Sequence, residues 1–313
     1  MFRFKQGHTI AARLQRQCFV RGYSSIQGHD TVKLEYTRNS SNSTDSGRLN
    51  APLVVLHGLF GSKQNWGAIS RRLSQELERD VYSVDQRNHG DSGHLSPHTY
   101  AAMSADLVRF IEDHKLDSPI LVGHSMGGKV VMHTALERPD LVSQLIVDDM
   151  VPAEFHLHHD FKGYVDKLLE IESRNVASQK EMDQMLAETE PDLSIRQFLL
   201  TNMKKSKDPG GTSGVRGVYR SRIPLKLLGD SLRSMMAWDA PDGLVFNGPT
   251  LFIAGAKSPY IKPYAYPVMN RLFPNYELEE LDTGHWVHAE MPREFMDLVV
   301  RFIRKNESTN VAN

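Results

Sequence analysis

The sequence predicts an α/β protein: a mainly parallel sheet with helices on both faces. Two observations predict it. Short β-rich runs recur along the chain, and helical patterns separate most of them. With 313 residues, 40% of them hydrophobic and 24% charged, the chain can bury most of its unfolded surface in one large domain or two small ones.

In order, "TVKLEYT" (31–37) reads as a strand, "RNSSNSTDSGRLN" as a polar loop, and "PLVVLH" as a buried strand ending in a glycine turn. "DVYSVD", "PILVGH", "LIVDD", "PTLFIAG" and "YELEELD" are further short strands. Helical patterns span 63–78, 100–115, 126–137, 263–273 and about 293–304. In such sheets chemistry gathers at the carboxyl ends of the strands. The alternation stops between Pro152 and about Gly248, where "FKGYVDKLLEIE", "KEMDQMLAETE", "IRQFLLTNM" and "PLKLLGDSLRSMMAWD" have helical periodicity around a "DPGGTSG" loop. The strand pattern resumes at Pro249, so residues of about 152–248 read as a helical cap inserted over the strand ends rather than as a separate domain.

The first 25 residues carry Arg3, Lys5, Arg13, Arg16 and Arg21, with no acidic residue before Asp30 and hydrophobic residues interleaved. That composition suits a mitochondrial presequence, residues 1–24, leaving a mature chain of 25–313 destined for the matrix. Losing those five bases takes the formal charge from -1 to -6, a poor balance for nonspecific nucleic-acid binding. No apolar run approaches the roughly 20 residues of a transmembrane helix. Cys18 is the one cysteine, which excludes a disulfide framework or a thiolate metal site in the body of the chain.

"LVGHSMGGKV" (121–130) sets Ser125 between two glycines after a strand and before a helix. That context lets a helix pack close to a strand and exposes the serine hydroxyl on a strained turn, where it can act as a nucleophile. A serine hydroxyl needs a base held in one tautomer by an acid, in the chain order Ser, acid, His. His285, in "LDTGHWVHAEMP", follows the last strand and is the candidate base, with His288 as its nearest rival. The loop after "PTLFIAG" reads "AGAKSPYI" and holds no carboxylate. The acid must therefore come from "LIVDDMVP", where Asp148 and Asp149 face opposite ways and spacing alone does not choose between them. Two backbone N–H groups complete the chemistry by receiving the developing oxyanion, and Leu59 in "LHGLFGS" and Met126 after the serine are the candidates.

Other clusters carry less. "DQRNHGDS" (85–92) reads as a hydrogen-bonded loop shaping the pocket, and "HLHH" (156–159) lacks companion metal ligands. Lys204, Lys205, Lys207, Arg216, Arg220 and Arg222 form a basic stretch in the cap, which reads as a solvated face, with gripping the phosphates of coenzyme A as the alternative. No nicotinamide or flavin fingerprint is present, so no cofactor and no metal are expected.

"HGLFGSKQNW", "VDQRNHGDS", "GHSMGGK", "RQFLLTNM" and "TGHWVHAEMP" resemble the mitochondrial serine hydrolases known as abhydrolase domain-containing protein 11 and their fungal relatives, including the ethanol acetyltransferase family. The resemblance covers nearly all of the chain after residue 30. It implies an α/β-hydrolase fold with the cap inserted after strand six, and a catalytic aspartate in a D-x-x-P stretch, which here matches Asp149. It also implies an acyl-enzyme on Ser125, with His285 as base and then acid. The expected function is hydrolysis of short-chain esters or acyl thioesters; the alternative is transfer of acetyl from acetyl-CoA to ethanol. A reading of another class is a noncatalytic binding protein on the same fold.

Overall fold

The computed structural model describes residues 28–40, 50–155, 160–206, 217–238, 240 and 243–311. The expected presequence, residues 1–24, and the "HLHH" run lie outside them, as do Lys207 and Arg216. The central sheet has seven strands: β1 (Tyr36–Asn39), β2 (Leu53–Leu56), β3 (Val81–Val84), β4 (Ile120–His124), β5 (Gln144–Asp148), β8 (Thr250–Gly255) and β9 (Tyr276–Leu281). Their spatial order is β1-β3-β2-β4-β5-β8-β9, and only the edge strand β1 runs antiparallel.

Alternation along the central strands divides the interior. Leu53, Val55, Ile120, Val122, Ile146 and Ile253 point to one face, where helices α1 (Gly67–Leu77) and α10 (Pro292–Val311) cover them. Val54, Leu56, Leu121, Leu145, Val147 and Phe252 point to the other, against α2 (Tyr100–Asp113) and α3 (Met126–Glu137). Strands covered on both faces must be apolar throughout, which is why "LVVL" and "LIV" show no polar alternation.

The expected strand at 31–37 forms only at its end. Val32 N–H donates to Asp106 Oδ1 (2.8 Å) and Glu35 N–H to Ser92 Oγ (2.8 Å), so side chains take donors that a neighbouring strand would otherwise engage. The cap follows β5, the fifth strand along the chain rather than the expected sixth, because a single described strand, β1, precedes β2. It contains α4 (Phe161–Ser173), α5 (Gln179–Leu186), α6 (Leu193–Leu200) and α7 (Leu225–Met236). It also contains an unanticipated antiparallel pair, β6 (Met203–Lys205) with β7 (Tyr219–Ser221).

Candidate active site

Ser125 stands between β4 and α3 at φ 53°, ψ −117°. A non-glycine residue at positive φ costs about 1–3 kcal/mol. Phe60 (φ 62°) and Asp149 (φ 48°) share that strain, and all three follow carboxyl ends of central strands. The flanking glycines are dictated by contact. A Cβ on Gly123 would meet the Gly127 carbonyl oxygen at 2.3 Å, and one on Gly127 would meet the Leu56 and His57 carbonyl oxygens at 2.7 Å. Only glycine lets the helix approach the strands this closely.

The two aspartates separate cleanly. Asp149 Oδ2 lies 2.6 Å from His285 Nδ1, and Asp148 Oδ2 lies 2.6 Å from His288 Nδ1. Asp149 also accepts from the Gly255 N–H (3.0 Å) and from the Ser258 hydroxyl. Burial pushes the Asp149 carboxyl up to about 6, against the pull of those two donors. Burial raises Asp148 further, to about 8, and lowers His288 to about 3.

Ser125, His285, His288, Leu59 and Ser258 line one cavity of about 780 Å³, with Trp66, Trp286 and the cap residues Phe161, Ile195 and Phe198 among its walls. The loop bearing His285 is tied down by Gly284 N–H donating to Glu290 (2.8 Å) and by His124 Nε2, 2.9 Å from the His285 carbonyl oxygen. Among the described residues no acceptor takes the N–H of Leu59 or Met126, whereas the Phe60 N–H goes to His89 Nε2 (3.1 Å) and the Gly61 N–H to Gly58 O (3.0 Å). Met126 opens α3 directly after the serine.

Sequence reasoning missed Ser258 and His124. The "AGAKSPYI" loop supplies no acid, yet its serine hydroxyl and the N–H of Gly255 hold the acid supplied by β5. The "DQRNHGDS" loop is hydrogen-bonded as expected, but its residues are not among those lining the cavity it was expected to shape. Asp85 accepts from Lys63 and from the N–H of Asp91, and buried Arg87 grips Asp106 through two bonds. In the cap, Arg222 pairs with Asp91 and donates to Gly90 O, while Arg220 bonds Glu172 O and Asn175. Those two arginines are engaged in holding the cap.

One group of side chains has the makings of a metal site: His124, Asp148 and His288 offer ligand atoms within 4.8 Å of one another. Asp148 and His288 already bond each other and His124 bonds the His285 carbonyl, so the group stands as a hydrogen-bonded cluster in which, among the described residues, Asp148 Oδ1 alone of the carboxylate's two oxygens has no partner.

Residues 51–292 match the α/β-hydrolase fold family. The chain belongs to it. A probable alcohol acetyltransferase of Saccharomyces cerevisiae is 36% identical across 97% of this chain and 91% of its own length. The sn-1-specific diacylglycerol lipase ABHD11 of Danio rerio is 37% identical across 81% of this chain and 78% of its own. Among solved structures, a marine microorganism esterase superposes with a TM-score of 0.78 at 30% identity, covering 87% of this chain and all of the esterase. The class expected from the sequence, a hydrolase or acyltransferase of this fold, is the class of these relatives. No helix among the described residues is long and apolar enough to cross a membrane.

Proposed function

We propose that Ser125, His285 and Asp149 act as nucleophile, general base and orienting acid in acyl transfer from short-chain esters or acyl thioesters. The observation that carries this reading is the 2.6 Å pair of His285 Nδ1 and Asp149 Oδ2 in the cavity that Ser125 also lines. With Nδ1–H donating to the carboxylate, Nε2 is left as the atom that takes the serine proton. Ser125 Oγ then attacks the acyl carbon, and the N–H groups of Leu59 and Met126 receive the oxyanion. Collapse expels an alkoxide or thiolate, which His285 protonates, leaving the acyl group on Ser125. Water or an alcohol, deprotonated by His285, releases it. The chemistry needs no metal or cofactor; acetyl-CoA or another acyl-CoA enters as substrate.

Water as acceptor gives an esterase or thioesterase, the reading favoured by the superposed esterase. Ethanol as acceptor gives an alcohol acetyltransferase, the reading favoured by the yeast relative's name. Incubating the protein and a Ser125→Ala variant with acetyl-CoA, with and without ethanol, while measuring free CoA and ethyl acetate, separates the two. Ser125-dependent ethyl acetate establishes the transferase. Ser125-dependent CoA release alone establishes the hydrolase. Failure of Ser125 to react with a fluorophosphonate overturns both and favours a noncatalytic binding protein. The presequence reading assigns the protein to the mitochondrial matrix, and imaging residues 1–30 fused to a fluorescent protein tests that assignment.

A further inference from the structure

We propose that Asp148, His288 and His124 form a buried positioning layer that fixes the loop carrying His285, so that Asp148 serves the reaction without touching substrate. The inference rests on the assignment of His285 as base.

The layer clamps that loop at two points. His124, the last residue of β4, holds the His285 carbonyl oxygen at 2.9 Å. Asp148, the last residue of β5, holds His288 at 2.6 Å, three residues beyond the base. The His288 ring stacks on Trp66 at 4.2 Å with a 13° interplanar angle, which fixes its plane, and lies 4.6 Å from the His124 ring. All three polar residues are buried. The main chain of Asp148 also accepts the Ser125 N–H (3.1 Å), so one residue supports both the serine turn and the base loop.

The chemistry of the layer suits support rather than proton transfer. Burial leaves His124 and His288 each at about 3 and Asp148 at about 8, so at neutral pH the Asp148–His288 pair is uncharged. An uncharged pair shares one proton across the 2.6 Å contact and adds no second negative charge beside Asp149. The other oxygen, Asp148 Oδ1, is buried with no partner among the described residues, so one short bond carries the contact. Asparagine at 148 can still donate to His288 Nδ1; alanine cannot.

The test compares the full-length protein with Asp148→Asn, Asp148→Ala and His288→Gln, using p-nitrophenyl acetate as probe and thermal melting to establish folding. Asp148→Ala and His288→Gln should lower kcat by on the order of tenfold with KM within about twofold, short of the roughly hundredfold cost of a 1 Å misplacement. The acid limb of kcat/KM should move to lower pH, because a looser His285–Asp149 contact stabilises the imidazolium less. Asp148→Asn should restore kcat to within about threefold of wild type, since the hydrogen bond survives. Wild-type kcat and pH profile in a folded Asp148→Ala or His288→Gln variant overturns the proposal, as does damage by Asp148→Asn equal to that by Asp148→Ala. If neither disruptive variant folds, His124→Phe cuts the clamp from the β4 side and is judged by the same criteria. Fluorophosphonate labelling of Ser125 in wild type keeps the two questions apart: no labelling defeats the triad assignment, whereas labelling with unaltered variants defeats this inference alone.

Discussion

Asp148 and Asp149 are adjacent in sequence, pair with histidines three residues apart, and differ in almost everything else. Asp149 turns through a positive φ to reach His285 and takes two further donors, from Gly255 and Ser258. Asp148 ends β5 in regular extended register and has His288 as the partner of one oxygen only. Burial raises both carboxyls, but the donors Ser258 and Gly255 hold Asp149 at about 6, whereas Asp148, without them and repelled by the Asp149 charge, reaches about 8. The comparison teaches that a carboxylate is kept ionised beside a histidine by the donors around it, not by the histidine alone.

The largest expected effect breaks the comparison if it fails. Asp149→Asn should lower kcat by about 10⁴-fold, because asparagine's N–H favours the wrong His285 tautomer. Steady-state kinetics showing a loss no greater than that for Asp148→Asn would mean the two acids had been assigned the wrong way round.

A smaller effect sharpens it. Ser258→Ala removes a donor that lowers the Asp149 pKa, so that pKa rises above about 6 and the active carboxylate is lost earlier as pH falls. The acid limb of kcat/KM should move to higher pH, with activity down about fivefold relative to wild type at pH 6 and close to wild type at pH 8, if the pKa rises by about one unit. An unmoved limb in the pH profile would show that Ser258 does not tune the acid.

The last effect is on stability and leaves the rate aside. The Asp148 carboxyl is raised from its ordinary 3.8 to about 8 in the folded chain, so between those values the folded state holds a proton that the unfolded state has released. Stability from this group is present below about pH 4 and is lost as pH rises through about 8. Asp148→Asn removes that dependence, so its melting temperature relative to wild type should climb between pH 4 and pH 8, by on the order of ten degrees. A constant offset across thermal melts at several pH values would contradict the buried, protonated acid.

Much of this was legible in the sequence. The runs at 53–56, 120–124 and 250–255 read as strands because residues covered on both faces have to be apolar. Ser125 was legible because close approach at Gly123 and Gly127 admits no other residue, which writes the turn into the sequence. The strand at 31–37 was overestimated because its N–H groups find Asp106 and Ser92, 74 and 57 residues away, which local propensity does not register. The short strands at 203–205 and 219–221 were missed because each is three residues long and gains its register only from the other.

By itself, then, the sequence determined the layered α/β plan, the serine turn and the presence of a histidine after the last strand, since each rests on local pattern or on a residue type that sterics demand. It reached Asp149 only through resemblance to a family, because two neighbouring carboxylates on one strand are equivalent to any local rule. The tertiary structure decided which carboxylate meets which histidine, and that the loop after β8, lacking an acid of its own, supplies Ser258 and the Gly255 N–H to hold one. Those contacts join residues more than 100 positions apart, and only chain packing sets such distances.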